Sequence, residues 1–338
     1  MKKFTKGCLI TGLVLFIFGC AFWGICGYMG GFRQLDDLHL RHGNILGIGA
    51  DRFRWGYLGD WFDIISFWDE DWWLDESGTS NLLDKGDKIS THYTASSVTE
   101  MDIELGGCNL VIKESEDDCI WLANDSRIKD VKYSLKNGVF KLYFTKSVRY
   151  YHDITDNGSI WLYLPKGMDL NAIDMEIGAG KMESMALSAK EIDLDAGAGT
   201  FVIEGLSGDD INILVGAGKA EIHSIQAENV YAECGAGEIK VDDLISNELT
   251  LEAGMGNMVM KGDIYENADI KCNMGNINLT LQGAKTDYDY DMECSMGNLN
   301  LGGEKYSGVA IGKDINNGNG RLIEIECAAG NITIDFER

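Results

Sequence analysis

Residues 177–180 read Ile177-Gly178-Ala179-Gly180, and this small-residue phrase returns down the rest of the chain. Its later copies are Ala196-Gly197-Ala198-Gly199, Val215-Gly216-Ala217-Gly218, Cys234-Gly235-Ala236-Gly237, Ala253-Gly254-Met255-Gly256, Cys272-Asn273-Met274-Gly275, Cys294-Ser295-Met296-Gly297 and Cys327-Ala328-Ala329-Gly330. The last glycine recurs every 19 residues from Gly180 to Gly275, and the next two intervals are 22 and 33 residues. A fixed period of about 20 residues predicts a solenoid, in which each repeat forms one rung of a stack.

Four positions around this corner are apolar in nearly every copy. They lie five and three residues before the last glycine and two and four residues after it, and Ser184 is the one polar member: Met175, Leu194, Ile213, Ala232, Leu251, Ile270, Met292, Ile325; Ile177, Ala196, Val215, Cys234, Ala253, Cys272, Cys294, Cys327; Met182, Phe201, Ala220, Ile239, Met258, Ile277, Leu299, Ile332; Ser184, Ile203, Ile222, Val241, Met260, Leu279, Leu301, Ile334. The residues between them are mostly polar. Each repeat is therefore predicted to be two short strands with an inward and an outward face.

The corner glycines are predicted to be structural. A tight bend between two strands needs backbone angles and a close approach that a Cβ atom would obstruct. The set comprises Gly178, Gly180, Gly197, Gly199, Gly216, Gly218, Gly235, Gly237, Gly254, Gly256, Gly275, Gly297 and Gly330. Gly178 to Lys181 and Gly216 to Lys219 resemble fragments of a phosphate-binding loop, but no G-x-x-x-x-G-K-[ST] pattern is completed.

Cysteines occupy one inward position in four of the copies. Cys234, Cys272, Cys294 and Cys327 lie three residues before the last glycine, and no C-x-x-C pair suggests zinc. Adjacent rungs bring Cys272, Cys294 and Cys327 within about 5 Å at Cα, which is inside disulfide range. In-register parallel neighbours point the same way, however, so we predict buried free thiols.

Acidic residues recur at an outward position, four residues before the last glycine. They are Glu176, Asp195, Glu233, Glu252, Glu293 and Glu326, interrupted by Leu214 and Lys271. Stacked like charges are unfavourable without counterions, so one hypothesis is a cation-binding face, for which calcium suits oxygen ligands. The alternative is a solvated acidic face that keeps a surface protein soluble. Asn257, Asn276, Asn298 and Asn331 share a position just after the corner, which predicts a structural amide ladder.

Composition excludes some functions. The chain has 338 residues, 45% hydrophobic content and a formal net charge of −25, so it should fold, and it lacks the basic footprint of a nucleic-acid binder. The five histidines have neither metal nor triad spacing, and no cofactor is predicted. Because β-helix scaffolds can carry carbohydrate-cleaving carboxylates, paired acids such as Asp174 and Glu176 leave a hydrolase or lyase as the alternative to a non-enzymatic protein.

The N-terminal segment has the features of a membrane anchor. Lys2, Lys3 and Lys6 precede an uncharged run at residues 7–32, which is long enough to cross a bilayer as a helix. The positive charge ahead of it predicts a cytoplasmic N-terminus and a C-terminal domain outside the membrane. A cleaved signal peptide and lipidation at Cys20 are two alternatives for the same segment.

The remaining chain divides by composition. Residues 1–32 form the predicted cytoplasmic tip and transmembrane anchor, residues 33–92 an acidic, Trp-rich juxtamembrane stalk, and residues 93–338 the β-solenoid domain. That domain has an irregular first part, 93–167, and regular repeats at 168–338. In the first part we predict strands at Val98 to Leu105, Asn109 to Glu114, Ile120 to Asn124, Val131 to Leu135, Val139 to Phe144 and Ser159 to Leu164. Asn137-Gly138 predicts a hairpin between two of them.

The repeated strand, Gly-Ala-Gly, strand phrase, preceded by Ile160-Trp161-Leu162-Tyr163-Leu164-Pro165-Lys166-Gly167 and an N-terminal anchor, resembles a bacterial β-strand-repeat family labelled putative adhesin or domain of unknown function. The resemblance covers about Tyr93 to Phe336. It implies an all-β, single-stack parallel solenoid outside a bacterial cytoplasmic membrane, an association with envelope stress systems and small helical membrane partners, and no catalytic residues.

The long final interval is the one irregular place in the regular repeats. Residues from Gly302 to Arg321 are looped out of the period, so we predict that contacts with an envelope or membrane protein concentrate there. The function predicted from the sequence is a non-enzymatic interaction, adhesion or envelope-stress sensing module. Neither the partner nor an oligomeric state is specified by these patterns.

Overall fold

The computed structural model of the protein describes residues 81–83, 88–125, 128, 131–144, 158–307, 311–318 and 320–337. All of them belong to one unit, which spans residues 64–338. The predicted anchor and most of the predicted stalk lie outside the described residues. Within the part of the chain that is described, no helix has the length and hydropathy needed to span a bilayer.

The described residues form 25 strands and two short 3-10 turns, at Ala95–Ser97 and Lys285–Asp287. The first eight strands are β1 Asn81–Leu83, β2 Lys88–Thr94, β3 Glu100–Leu105, β4 Asn109–Glu114, β5 Cys119–Asn124, β6 Val131–Lys136, β7 Val139–Phe144 and β8 Ser159–Leu164. The six strands predicted in the irregular first part are thus confirmed to within two residues. Asn137 and Gly138 have φ values of 52° and 88° and join the antiparallel strands β6 and β7, which confirms the hairpin.

The regular repeats supply the other strands. They are β9 Leu170–Ile177, β10 Lys181–Ser184, β11 Leu187–Ala196, β12 Thr200–Ile203, β13 Leu206–Ser207, β14 Asp210–Val215, β15 Lys219–Cys234, β16 Glu238–Ala253, β17 Asn257–Ile264, β18 Ala268–Cys272, β19 Asn276–Gln282, β20 Asp289–Cys294, β21 Asn298–Leu301, β22 Glu304–Ser307, β23 Ile311–Ile315, β24 Leu322–Cys327 and β25 Asn331–Glu337. The corner glycines lie between strands, as the phrase predicts.

The strands form two long ladders that meet at the corners. The strands that enter the corners form the pre-corner ladder, in the order β1, β6, β7, β3, β9, β11, β14, β15, β16, β18, β24, β20, β23. The strands that leave the corners form the post-corner ladder, in the order β2, β5, β8, β4, β10, β12, β15, β16, β17, β19, β25, β21, β22. β13 pairs with the start of β11 and the middle of β15, which adds a short third ladder.

The stack is parallel inside and antiparallel at its ends. From β9 to β19 most residues pair with the residue one period later, for example Ile177 with Ala196 and Val215 with Cys234. The register shifts once, between Val241 and Leu244, so that Leu244 pairs with Gly262. Among the described strands six pairings are antiparallel, and all lie within the outermost three strands at an end of a ladder: β1–β6, β6–β7, β2–β5, β5–β8, β20–β23 and β21–β22. The solenoid prediction is therefore confirmed for the interior and incomplete for the ends.

The order of rungs at both ends differs from their order in the chain. β3 lies between β7 and β9, and β24 lies between β18 and β20. The same insertion occurs in the post-corner ladder, where β25 lies between β19 and β21. An expectation that adjacent copies of the phrase are adjacent rungs is therefore wrong for the copies at Cys272 and Cys294, because the copy at Cys327 lies between them.

The four predicted inward rows form the core. Every member of these rows is at most 5% exposed, including Ser184. The hydroxyl of Ser184 donates a hydrogen bond to the carbonyl oxygen of Met185, 2.9 Å away, so it is buried with a partner. Because alternate residues of every rung point inward, their neighbours are held on the outer surface, and this alternation positions the candidate site.

Candidate functional site

The corner glycines are required by close packing between neighbouring corners. A Cβ atom on Gly180 would lie 1.7 Å from the carbonyl oxygen of Cys108, and one on Gly218 would lie 2.1 Å from that of Gly199. No corner glycine has a positive φ. The sequence prediction is thus right about close approach and wrong about special backbone angles, because the corners bend with φ values open to any residue.

The inward cysteines occupy the space under these glycines. The Sγ atom of Cys234 lies 2.3 Å from the position of a Cβ on Gly256, and that of Cys327 lies 2.3 Å from one on Gly297. In the regular middle, Val215 fills the same space under Gly237. The inward side chain three residues before the last glycine of one corner therefore fills the space that the last glycine of the neighbouring corner leaves empty. This packing explains why the inward residue and the glycine recur together.

The thiols follow the corrected rung order. Cys327 pairs in register with both Cys272 and Cys294, so those two are not neighbours, contrary to the order used in the sequence prediction. No disulfide joins the six cysteines among the described residues. Burial raises the pKa of Cys327 to about 12, and Cys294 beside it adds to the shift. A thiol in this state is a poor nucleophile at neutral pH.

An asparagine ladder follows the corners at the C-terminal end. Asn298 Nδ2 donates to Asn331 Oδ1 over 2.8 Å, and Asn331 Nδ2 donates to Asn276 Oδ1 over 2.7 Å. These bonds confirm the predicted amide ladder for three of its four members. They also repeat the order in which the last rung lies between the two preceding ones.

The six predicted acidic residues all point outward from the pre-corner ladder. They do not form one continuous row: Leu214 separates Asp195 from Glu233, and Lys271 separates Glu252 from Glu326. Each of these gaps was visible in the sequence. The structure brings Glu176 beside Asp195, and Glu293 beside Glu326.

The densest part of this surface includes residues that the sequence reasoning missed. Glu104 pairs with Glu176, and a second outward row, two residues earlier, runs in parallel through Asp102, Asp174 and Asp193. We call these six carboxylates the acidic face: Asp102, Glu104, Asp174, Glu176, Asp193 and Asp195. Residues 103–110, Ile103-Glu104-Leu105-Gly106-Gly107-Cys108-Asn109-Leu110, resemble a degenerate first copy of the phrase, and Glu104 lies four residues before Cys108, which takes the place of the last glycine.

A lysine and an asparagine contact the two edges of the acidic face. Lys141 forms an ion pair of 2.6 Å with Asp102 at one edge, and Asn212 Nδ2 donates to Asp193 Oδ1 over 2.6 Å at the other. Oε1 of Glu104 is buried and accepts no hydrogen bond from the described residues. The centre of the face therefore contains carboxylates whose nearest charged neighbours are largely other carboxylates.

The pKa values of the central carboxyls are raised. Burial raises the pKa of Glu104 to about 7, and the charges of Glu176 and Asp102 add to it. Burial likewise raises the pKa of Glu176 to about 7, with Asp195 and Asp174 contributing. The pKa of Asp174 rises to about 6 for the same reasons. The acidic face is thus a surface that takes up protons near neutral pH.

The geometry does not form a metal centre. Among the described residues, no three His, Cys, Asp or Glu side chains are placed to hold one metal ion together. Carboxylates on neighbouring strands are about 4.8 Å apart along a flat ladder, whereas Ca²⁺ takes six to eight oxygens around one point. The hypothesis of a cation-binding face stays a prediction.

The acid pair of the hydrolase alternative is repeated on neighbouring strands. Asp174 and Glu176 both point outward from β9, and the strands on either side carry the equivalent pairs Asp102 and Glu104, and Asp193 and Asp195. A glycosidase uses a single pair on opposite sides of the scissile bond. This array is a repeated surface and lacks the asymmetry of such a pair.

The sequence profile of the Toastrack DUF4097 family matches residues 98–335. The chain belongs to this family. The match contains every strand from β3 to β24 and most of β25, so the Toastrack domain includes the acidic face, all the corners and the C-terminal insertion. The family resemblance drawn from the repeat phrase is confirmed, while its membrane anchor stays a prediction.

Several crystal structures are similar to the Toastrack chain. A "putative adhesin" from Bacteroides fragilis NCTC 9343 has 13% identity over 73% of this chain and 97% of its own, with a TM-score of 0.42. A "putative lipid binding protein" from Parabacteroides distasonis ATCC 8503 has 12% identity over 74% and 96%, also with a TM-score of 0.42. A "putative cell adhesion protein" from Clostridium sporogenes ATCC 15579 has 14% identity over 75% and 100%, with a TM-score of 0.24. These values are too low to support an argument about function. No curated protein gave a significant match.

Proposed function

We propose that the Toastrack domain is a non-enzymatic interaction module that contacts an envelope or membrane protein. The N-terminal apolar segment displays the domain outside a bacterial cytoplasmic membrane. The observation that carries the proposal is the repetition of every conspicuous group in ladder register. Acids, thiols, amides and glycines each recur on neighbouring rungs. Such repetition makes an extended surface, which is what repeat proteins use for binding.

The C-terminal insertion is the part of this surface where we place the partner. β22 and β23 are the last strands of the two ladders, and their side chains are mostly exposed. Lys313 Nζ lies 4.6 Å from the centre of the Tyr306 ring, and the Tyr306 hydroxyl donates to Glu304 over 2.7 Å. Tyrosine is one of the residue types enriched among the side chains that contribute most to binding at interfaces.

Site-specific photo-crosslinking in intact cells tests the partner proposal. A photoreactive residue replaces Lys305, which is exposed in the insertion, and a matched control replaces Ala217, which is exposed at a regular corner. We expect one membrane or envelope protein to crosslink from position 305 and not from position 217. Equal crosslinking from both positions, or none from 305, would contradict the placement of the partner.

The alternative function has its own test. A carbohydrate-active Toastrack domain would release reducing ends from a cell-wall or capsular polysaccharide, and Glu176→Gln would abolish that release. We expect no release with the purified chain. If reducing ends are released and Glu176→Gln abolishes that release, the domain is a hydrolase and the proposal of a non-enzymatic module is wrong, whatever the crosslinking shows.

Membrane topology is tested separately. Protease added to intact spheroplasts should degrade the Toastrack domain while a tag on residues 1–6 stays protected, as an outward-facing single-pass protein requires. Protection of the domain, or its release into the medium without detergent, would contradict the anchored topology.

A further inference from the structure

Three methionines form an exposed row along the corners. Met255, Met274 and Met296 occupy the middle of successive corner phrases and are 64%, 65% and 74% exposed. We call these three residues the methionine ridge. Apart from these three, Tyr265 is the one other large hydrophobic residue that is exposed among the described residues.

The fold does not require methionine at these positions. Other corners have Ala179, Ala198, Ala217, Ala236 or Ala329 in the same place. Backbone hydrogen bonds hold the corner. The N–H of Met255 donates to the carbonyl oxygen of Gly235 (2.6 Å), that of Met274 to Gly254 (2.8 Å) and that of Met296 to Ala328 (2.7 Å). The side chains therefore reach into solvent without holding the corner, so their chemistry can change while the corner stays intact.

The ridge is compact in the stack. The corners of Met255 and Met274 are neighbours, and Ala329 lies between Met274 and Met296 because the last rung is inserted there. The three residues consequently span about 14 Å along the stack, three rung spacings of about 4.8 Å each. The thioether sulfurs are presented to the same side of the molecule, where one reagent or surface reaches all three.

Methionine sulfur has one prominent reaction in water. Its lone pair attacks an oxygen of a peroxide; the S–O bond forms, the O–O bond breaks, and water leaves, so that sulfur loses two electrons and the peroxide gains them. The product is a polar sulfoxide that reductases can restore. Exposure controls the rate, and the sulfur atoms of the core are shielded.

We propose that the methionine ridge is a site of selective, fold-preserving sulfoxidation by peroxide. Oxidation turns an apolar row on the corner surface into a polar one while leaving the rungs unchanged. The same rung provides the comparison, since Met258 and Met260 lie a few residues from Met255 and are 0% and 1% exposed.

The test uses the full-length chain purified in detergent and treated with hydrogen peroxide. Peptide mass spectrometry follows each methionine separately. We expect sulfoxide at Met255, Met274 and Met296 to accumulate at least about tenfold faster than at Met258 and Met260, because exposure sets the rate. Equal rates for the two groups would overturn the selectivity.

Two further measurements complete the test. The unfolding temperature of the protein oxidised at the ridge should lie within about 1 °C of the untreated protein, because the corner bonds are backbone bonds; a loss of several degrees would overturn the fold-preserving claim. The triple variant Met255→Leu, Met274→Leu, Met296→Leu should lose the fast phase of oxidation, and Met258→Leu, the matched control in the core, should keep it. If the triple variant keeps the fast phase, the rapidly oxidised residues are not those of the methionine ridge, and the proposal is wrong.

Discussion

The middle of the Toastrack domain and its two ends are built by different rules. Between β9 and β19, each rung lies beside the rungs that precede and follow it in the chain. At each end, two rungs that are consecutive in the chain are separated by a strand from elsewhere in the sequence. β3 lies between β7 and β9 at one end, and β24 lies between β18 and β20 at the other. The middle is thus specified by local repetition, and the ends are specified by segments distant in sequence.

The difference follows from what a strand edge requires. Every interior strand has both edges paired, whereas a stack that simply stopped would expose a row of backbone N–H and C=O groups to another chain. Here the last strands run antiparallel, and at the C-terminal end they carry Lys305 and Lys313 on exposed positions. Charged, short end strands are a known protection against edge-to-edge association.

The comparison predicts its largest effect for deletion of residues 322–338. If the rungs stacked in the order of the chain, this deletion would remove only a terminal rung. In the observed order it removes β24 and β25, with which β20 and β21 pair. The deleted strands bury Ile323, Ile325, Cys327, Ile332 and Ile334, so the cost is roughly 8–15 kcal/mol at about 1.5–3 kcal/mol per side chain. Hydrogen exchange should show loss of protection in β20 and β21.

Strands β11 and β14 in the same protein are the internal control for this deletion, because their neighbours are untouched. They should keep their amide protection. Retained protection at Asp289–Cys294 after the deletion would mean that the rungs can stack in chain order.

The same comparison explains how much could be read from the sequence. The inward rows were predictable because a period of 19 and an alternation of two leave each position only one face. The insertion of Cys327 between Cys272 and Cys294 was not, since closing an edge is a tertiary requirement with no local pattern. Glu104 was missed for a related reason: its rung is an end copy, in which cysteine replaces the glycine that marked the register.

The second prediction compares the cost in stability of replacing a glycine in the middle of the domain with the cost of replacing one in an end strand. Gly218→Ala places a Cβ 2.1 Å from the backbone carbonyl of Gly199, and the neighbouring rungs leave no room for it to move. Gly312→Ala, in the end strand β23, is the matched control because nothing lies within 4 Å of its Cβ position. We expect the first change to lower the free energy of unfolding by about 3 kcal/mol and the second to alter it by less than about 0.5 kcal/mol.

Denaturant unfolding of the two variants measures this difference. Equal stabilities would show that neighbouring corners can separate, and close packing would then not be the reason for glycine at these positions.

A smaller effect is expected from pH, through two carboxyls of the acidic face. Glu104 and Glu176 have pKa values of about 7 in the folded state, raised chiefly by burial, against about 4.3 in an unfolded chain. Between these values the folded state binds more protons, so the stability they contribute is present below about pH 4.3 and is lost as pH rises through about 7. The double variant Glu104→Gln, Glu176→Gln should unfold several degrees higher than the wild type at pH 8 and flatten the decline between pH 5 and 8.

Glu183→Gln is the control for the pH series. Glu183 is exposed on the other ladder and pairs with Lys181 over 2.5 Å. Its replacement should leave the slope of unfolding temperature against pH as in the wild type. If the double variant follows the wild-type slope as well, the acidic face is not the source of the pH dependence.

The smallest expected effect is that of calcium. Because the carboxylates lie along a flat ladder and no three acidic, His or Cys side chains of the described residues converge on one point, Ca²⁺ should act by screening, as Mg²⁺ does at equal ionic strength. Millimolar Ca²⁺ should therefore raise the unfolding temperature by about 1–2 °C at most and no more than Mg²⁺. A rise of several degrees specific to Ca²⁺, abolished by chelator and by Asp195→Asn, would show that the carboxylates rearrange around a bound ion and that the regular repeats also form a specific ligand site.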